Sequence, residues 1–372
     1  MIDRPAPRLT CVTCGRPASG PERRWRCACG GPFILSGSAP LDPEKIEPCR
    51  QGLWRYAHAL SGVDAGKAIT LGEGMTPLVP FSLDGRLLLA KCDFTNPTGS
   101  YKDRGWTVAV SRLRADGIDA VVEESSGNAG ASLAAYGARA GLAVRVFAPA
   151  DAPAGKLFQI AAHGAAVTGV EGGRQAVTDA CLAAAGRAFY AGHAWNPWFL
   201  HGIRTLAWEI AEQLDWTAPA VVFAPVGQGG IILGLHDGFS GLAASGVIDT
   251  VPALVGVQAA ACAPVAAGLA AGTETPPDVT VRATCADAIR TPAPVRYRQV
   301  VAALRTSGGT ALAVSEAAIK AAHTDLARAG FFVEPTSAVA AAGAREWLGT
   351  HTPHPDRPVV LVLTGHGLKA AG

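Results

Sequence analysis

Charge of one sign is missing from this chain. Across 372 residues, 32 Lys and Arg stand against 30 Asp and Glu, a formal net charge of +2. So even a balance carries no electrostatic footprint for nucleic acid or for an anionic membrane surface. Long apolar runs are missing too. None reaches the roughly 18 residues of a membrane-spanning helix. The opening Met1-Ile-Asp-Arg-Pro-Ala-Pro lacks the apolar stretch of a secretory signal. The chain also lacks low-complexity tracts and repeats of roughly 20–50 residues, which excludes solenoids and propellers. An even cysteine count is absent: there are nine, five of them scattered. That argues against a disulfide framework and for free thiols in a reducing cytoplasm. The length leaves room for two domains and a small appendage.

What is present begins with four cysteines, Cys11-x-x-Cys14 and then Cys27-x-Cys29. A Cys-x-x-Cys knuckle turns both thiolates toward one tetrahedral ion, and a second close pair completes a four-thiolate set. So short a segment has almost no core and needs a staple to fold. Residues 1–35 therefore read as a zinc ribbon-like segment holding a structural Zn²⁺, with two disulfides or a degenerate remnant as alternatives. Such a site is closed, so no zinc catalysis is expected. Residues 36–75 are rich in Pro, Gly and short polar pieces and read as an arm that packs the aromatics of Gly52-Leu-Trp-Arg-Tyr56 on the main body.

Beyond the arm, apolar strands alternate with helices. Strands are expected at 87–92, 120–123, 143–147, 165–168, 220–225, 255–258 and 359–363, and helices at 129–140, 154–163, 174–186 and 199–214. Alternation of this kind means parallel α/β sheets. The division expected is 36–215, a small α/β domain with its arm, and 216–372, a larger α/β domain.

Three stretches carry chemistry. In Asn96-Pro97-Thr98-Gly99-Ser100-Tyr101-Lys102-Asp103-Arg104-Gly105, a turn hands Lys102 to a helix N-terminus. There the helix dipole and Arg104 disfavour a charged ammonium, which suits a lysine that bonds an aldehyde. The bland alternative is a solvated surface lysine. Ser125-Ser126-Gly127-Asn128-Ala129-Gly130 lies between a strand and a helix, where outward amides hold a carboxylate. An ordinary capped turn is the alternative. Gly227-Gln228-Gly229-Gly230 follows a buried strand, and its closely spaced glycines suit a phosphate. It is neither a dinucleotide fingerprint, because Ile232 occupies the third glycine position, nor a Walker loop. Finally, Thr364-Gly365-His366-Gly367 follows the last strand, at the carboxyl end where α/β sheets bind ligands.

An aldehyde for Lys102, a phosphate for 227–230, a ring hydroxyl for Asn128 and a ring nitrogen for Thr364 together describe pyridoxal phosphate. The order and wording of these motifs resemble the threonine synthase family of fold-type II pyridoxal-phosphate enzymes. Gly72-Glu-Gly-Met-Thr-Pro-Leu78, Gly256-Val-Gln-Ala259 and Glu334-Pro-Thr-Ser-Ala338 match as well. The resemblance covers nearly the whole chain and implies a two-domain, tryptophan synthase β-like fold. It implies that Lys102 bonds the cofactor and shuttles protons. Asn128 would meet the ring hydroxyl, Gly227, Gln228, Gly229 and Gly230 the phosphate, and Thr364 the ring nitrogen. Ser125, Ser126 and Gly127 would hold the α-carboxylate of an amino-acid substrate, with Ala129 and His193 completing the substrate set. A homodimer is usual in such a family.

The substrate side departs from the family pattern. Ala129 stands where a Thr follows the Asn, and His193, Ala194 and Phe199 stand where Asn, Ser and Arg flank the Asn-Pro pair. Losing that Arg removes a charged fork worth roughly 2–3 kcal/mol to a phosphate, with His193 and Arg204 as candidates to compensate. The leading reading is conversion of O-phospho-L-homoserine and water to L-threonine and phosphate. A dehydratase, ammonia-lyase or cysteate synthase-like enzyme on another amino acid is the alternative, and a catalytically silent ligand-binding paralogue is the non-enzyme one.

Overall fold

The computed structural model describes residues 7–18, 24–152 and 154–370. The opening stretch used to judge a secretory signal lies outside the described residues up to residue 6, as do 19–23 within the cysteine segment. Arg8–Cys11 and Phe33–Ser36 form a two-stranded antiparallel ribbon, with Cys11 opposite Phe33.

The remaining described residues divide into two units. One comprises the chain to Glu73 together with Lys102–Ile203, and the other Gly74–Tyr101 together with Arg204–Ala370. The first carries a parallel sheet of four strands in the order Ala166–Val170, Ala143–Pro149, Ala120–Glu124, Phe189–Tyr190. The second carries six, in the order Thr310–Val314, Ala253–Ala259, Val221–Pro225, Val359–Leu363, Arg86–Cys92, Leu78–Leu83. All neighbours there run parallel except the last pair. Val221–Pro225 and Val359–Leu363 are buried at every position, as apolar runs in the middle of a parallel sheet must be.

The contiguous division at 215/216 is not how the sheets partition the chain. Leu78–Leu83 and Arg86–Cys92 precede the lysine in sequence, yet Val360 pairs with Leu89 in the larger sheet. Alternation of strands and helices cannot reveal such an excursion, because the pairing partner lies about 270 residues away. Within the second unit, the wholly buried Lys91 and Glu209 pair at 2.5 Å, and Lys91 Nζ also donates to Thr76 O at 2.7 Å. That satisfies a charge which burial alone would make costly.

The helix expected over 199–214 is two helices, Pro197–Ile203 and Thr205–Gln213. The first begins early because Pro197 suits a first turn and the Asn196 side-chain carbonyl accepts the Trp198 and Phe199 amides at 2.9 and 3.3 Å. It packs closely on helix Lys102–Ala115. A Cβ on Gly202 would stand 2.0 Å from Arg104 O, and one on Gly105 would stand 2.3 Å from the Phe199 ring. Only glycine permits that approach. As expected, the arm buries its aromatics: Trp54 Nε1 donates to Thr107 Oγ1 at 2.9 Å, and the Glu73 carboxylate gathers Trp54 Nε1 and Tyr136 Oη. The edge strand Thr310–Val314 and the short Phe189–Tyr190 were not expected. The first is half-exposed over most of its length, and the second has only two residues, too short for a pattern.

Candidate active site

The lysine loop is fastened on its N-terminal side to the end of strand Val359–Leu363. Tyr101 N donates to Thr364 O at 3.0 Å, His366 N to Gly99 O at 2.9 Å, and Lys369 Nζ to Thr98 O at 2.7 Å. Asn96 braces the turn, accepting the Gly74 amide at 2.9 Å and donating to Asp93 O at 2.8 Å. Lys102 then opens helix Lys102–Ala115, so the residue before it is pinned to the backbone of Thr364 by a direct hydrogen bond. Arg104 is fully buried, as is Asp103, whose carboxylate accepts Ser132 Oγ at 2.5 Å.

In the second unit, Gly229 caps helix Gly230–Ala244 in the left-handed region, at φ +83°. A Cβ there would lie 2.2 Å from Val300 Cγ2, so the position is closed to a side chain. A 15-residue helix with a glycine entrance offers its first amides and its dipole to an anion. Gln228 is partly engaged, since its Oε1 accepts the Val295 amide at 3.0 Å. Thr364 Oγ1 lies 2.9 Å from Ser337 Oγ, which also accepts the Thr364 and Gly365 amides, each at 2.9 Å. This hydroxyl pair at the end of a central strand is suited to a neutral ring nitrogen. Arg204, considered as a phosphate contact, faces Asp237 at 3.2 Å and stacks over Trp208 at 4.9 Å.

In the first unit, the Ser125–Gly127 loop joins strand Ala120–Glu124 to helix Asn128–Ala140. Ser125 Oγ accepts the Gly127 and Gly130 amides at 3.3 and 3.1 Å, so its hydroxyl shapes the turn. Ser126 is half-buried, Ala129 is buried, and Asn128 begins the helix. His193 Nδ1 lies 2.7 Å from Glu123 Oε1, and the His193 ring meets Phe199 edge-on at 5.7 Å. Lys102 Nζ stands 5.7 Å from the centre of the same Phe199 ring. Thus Lys102, Phe199, His193 and Glu123 form one cluster. Burial and, secondarily, the Lys102 charge hold the His193 imidazolium well below its ordinary range, so the ring is neutral.

Sequence reasoning missed Glu123 and Glu124. The available signal was a pair of acids closing an apolar strand at its carboxyl end, immediately before a ligand-type loop. It also missed Ser337, although the motif around it was noted.

The four cysteines converge. Cys11 and Cys29 sulfurs are 3.5 Å apart, those of Cys14 and Cys27 3.7 Å, and all four lie within 4.8 Å of one another. Disulfide sulfurs would be about 2.0 Å apart, and these thiols are free. Four sulfurs around zinc at about 2.3 Å stand about 3.8 Å apart, so the set fits a tetrahedral ion. The Arg16 guanidinium beside Cys14 lowers its thiol to about 6, which favours the ligating thiolate.

The glycine cradle at a helix N-terminus and the hydroxyl pair at a strand end, both in the second unit, fit the phosphate and ring nitrogen of pyridoxal phosphate. Residues 69–365 match the family described as pyridoxal-phosphate dependent enzyme. The chain is thus an enzyme of that class, with the fold-type II architecture. It is 35% identical over 373 residues to a threonine synthase of Methanosarcina acetivorans, covering 97% of this chain and 92% of that one. It is 36% identical over 372 residues to a threonine synthase of Methanocaldococcus jannaschii, covering 96% and 92%. The crystal structure of a T.th. threonine deaminase is similar with a TM-score of 0.62 at 26% identity, covering 78% of this chain and 92% of that one. Within the pyridoxal-phosphate enzymes, the chain belongs to the threonine synthase family. Among the described residues, no helix is long and apolar enough to cross a membrane.

Proposed function

We propose that the chain is a lyase that eliminates or replaces a substituent at Cβ or Cγ of an amino acid. The observation that carries this is the lysine loop, with Tyr101 bound to Thr364 O and Lys102 opening a helix beside Phe199. Lys102 would hold the cofactor and move protons at the substrate Cα. In the first unit, Asn128 would meet the ring hydroxyl, and Ser126 with Gly127 the α-carboxylate. In the second, the amides of Gly227–Gly230 would hold the phosphate, and Thr364 with Ser337 the ring nitrogen. Pyridoxal phosphate supplies an electron sink for carbanions formed next to the substrate amine. A hydroxyl partner leaves that sink milder than a carboxylate would, which puts more weight on proton transfer by Lys102. Cys11, Cys14, Cys27 and Cys29 would hold a structural zinc ion with no part in turnover.

The relatives' names support L-threonine as the product, and the family resemblance makes O-phospho-L-homoserine the first substrate to try, with phosphate as the second product. A second reading is favoured by Phe199, which sits beside Lys102 where a phosphate-binding fork is expected. On that reading the substrate carries no phosphate. Incubating the loaded enzyme with O-phospho-L-homoserine while following phosphate and threonine separates them. Equal release of both supports the first. Bound cofactor without turnover supports the second, and a panel with O-phosphoserine, serine and threonine then follows.

A further inference from the structure

One polar pair in the first unit has no part in the scheme above. The Glu123 side chain is fully buried at the end of its strand. Its Oε1 accepts the His193 amide at 3.2 Å and lies 2.7 Å from His193 Nδ1, while its Oε2 meets no hydrogen-bond partner among the described residues. His193 keeps 22% of its side chain exposed, so the imidazole is reachable and the carboxyl behind it is not. Lys102 Nζ and the His193 ring rest against the same Phe199 ring.

An orphaned oxygen in a dry site is costly on a carboxylate and far less so on a neutral carboxyl. Burial accordingly pushes the Glu123 carboxyl up to about 8, against the opposing pull of the His193 amide and the Lys102 charge. The titratable groups facing the pair are Lys102 from helix Lys102–Ala115, Glu124 beside it, Tyr190 from the neighbouring strand and Cys181 from helix Arg174–Ala184. Glu124 already accepts Tyr190 Oη at 2.6 Å. Of these groups Lys102 is the cation; on the reading above it bonds the cofactor at rest and, once substrate takes its place, is occupied as the base at Cα.

We propose that His193 is a catalytic acid and Glu123 its positioning residue and proton store, and that the pair selects an amino acid whose leaving group is a hydroxyl rather than a phosphate ester. This rests on the lyase reading. A phosphate ester leaves as a stabilised anion and asks its site for positive charge. Here its first-unit neighbours would be a neutral imidazole, a phenyl ring and two acids, with Lys102 the cation among them and already occupied as the base at Cα. A hydroxyl leaves only if it is given a proton, and this pair holds one. With the proton on Glu123 Oε1 shared toward Nδ1, the ring carries its own proton on Nε2. The Cα–H bond breaks, its proton goes to Lys102 Nζ, and its electron pair becomes the new carbon–carbon double bond. The C–O electron pair stays with oxygen, which takes the Nε2 proton and departs as water. Nδ1 then takes the proton from Glu123, leaving a carboxylate and a neutral ring that recharge from solvent.

The test compares wild type with Glu123→Gln and, should that variant fold poorly, His193→Asn. L-serine and L-threonine are set against β-chloro-L-alanine and O-phospho-L-serine, whose Cβ leaving groups need no acid. We expect each variant to lose roughly 10²–10⁴-fold on the hydroxy substrates, the usual contribution of a positioned acid, and at least about tenfold less than that on β-chloroalanine. Wild-type turnover of the hydroxy substrate should fall as pH rises through about 8, a limb Glu123→Gln should lack. Before any cofactor is loaded, the infrared carbonyl stretch of a protonated carboxyl should be present at pH 7 and missing from Glu123→Gln. Equal losses on all substrates, no protonated carboxyl, or wild-type preference for the phosphate ester would each overturn the proposal. Failure of the lyase reading is separate: wild type would then turn over none of the four.

Discussion

The glycine loop of the second unit and the Glu123–His193–Phe199 cluster of the first are built on opposite principles. The loop offers backbone: Gly229 is forced by φ +83° and by a Val300 methyl that leaves no room for a Cβ. The cluster works through side chains, with a buried carboxyl, a neutral imidazole and a phenyl ring. A backbone site changes little without losing its geometry. A side-chain site is retuned one residue at a time. On the proposed assignment, the cofactor half is the harder of the two to change and the substrate half the easier.

The sharpest break in that comparison is Lys102→Ala. Turnover and the borohydride-reducible cofactor adduct should both vanish, with the circular dichroism of the fold retained; full activity would remove Lys102 from the mechanism. Next comes Gly229→Ala, which forces a side chain into the left-handed region against Val300. Cofactor affinity, read by fluorescence titration, should drop by about tenfold or more, the equivalent of roughly 1.4 kcal/mol. Phe199→Arg tests the other half. It supplies a charged fork worth roughly 2–3 kcal/mol to a phosphate, so O-phospho-L-homoserine should bind about 30–150-fold tighter by calorimetry. The lost Trp106 contact at 5.2 Å should lower the melting temperature.

Smaller effects concern stability. Folded Glu123 keeps its proton to about 8, whereas an unfolded carboxyl releases it near its ordinary value. The folded state therefore binds the extra proton between those limits. Its contribution is full below the unfolded pKa and is lost as pH rises to about 8. Glu123→Gln should gain melting temperature over wild type on going from about pH 5 to about pH 9, and an unchanging difference would mean the carboxyl is ionised throughout. The smallest effect on catalysis belongs to Cys14→Ser. It should remove zinc, measured by mass spectrometry, and cost a few degrees of melting temperature while kcat stays unchanged.

Local signals carry the proposed cofactor half. Lys102 after its Pro-Gly-Ser turn, the glycines at 227–230 and Thr364 after five apolar residues each announce themselves within a few positions. The four cysteines were equally plain, and their sulfurs do converge. What stayed hidden is non-local. No window around Leu89 discloses its pairing with Val360. Glu123 looks like the solvated end of a strand until His193, 70 residues on, closes over it. Phe199 was visible as a departure, but its packing on Gly105 and its place beside Lys102 depend on Gly202 letting two helices touch.

The most direct measurement is a peptide map of the cofactor-loaded enzyme after borohydride reduction. One pyridoxyl group per chain on the peptide containing Lys102 is the expected result. A label on another lysine, or none on a chain that still catalyses, would contradict the account at its root.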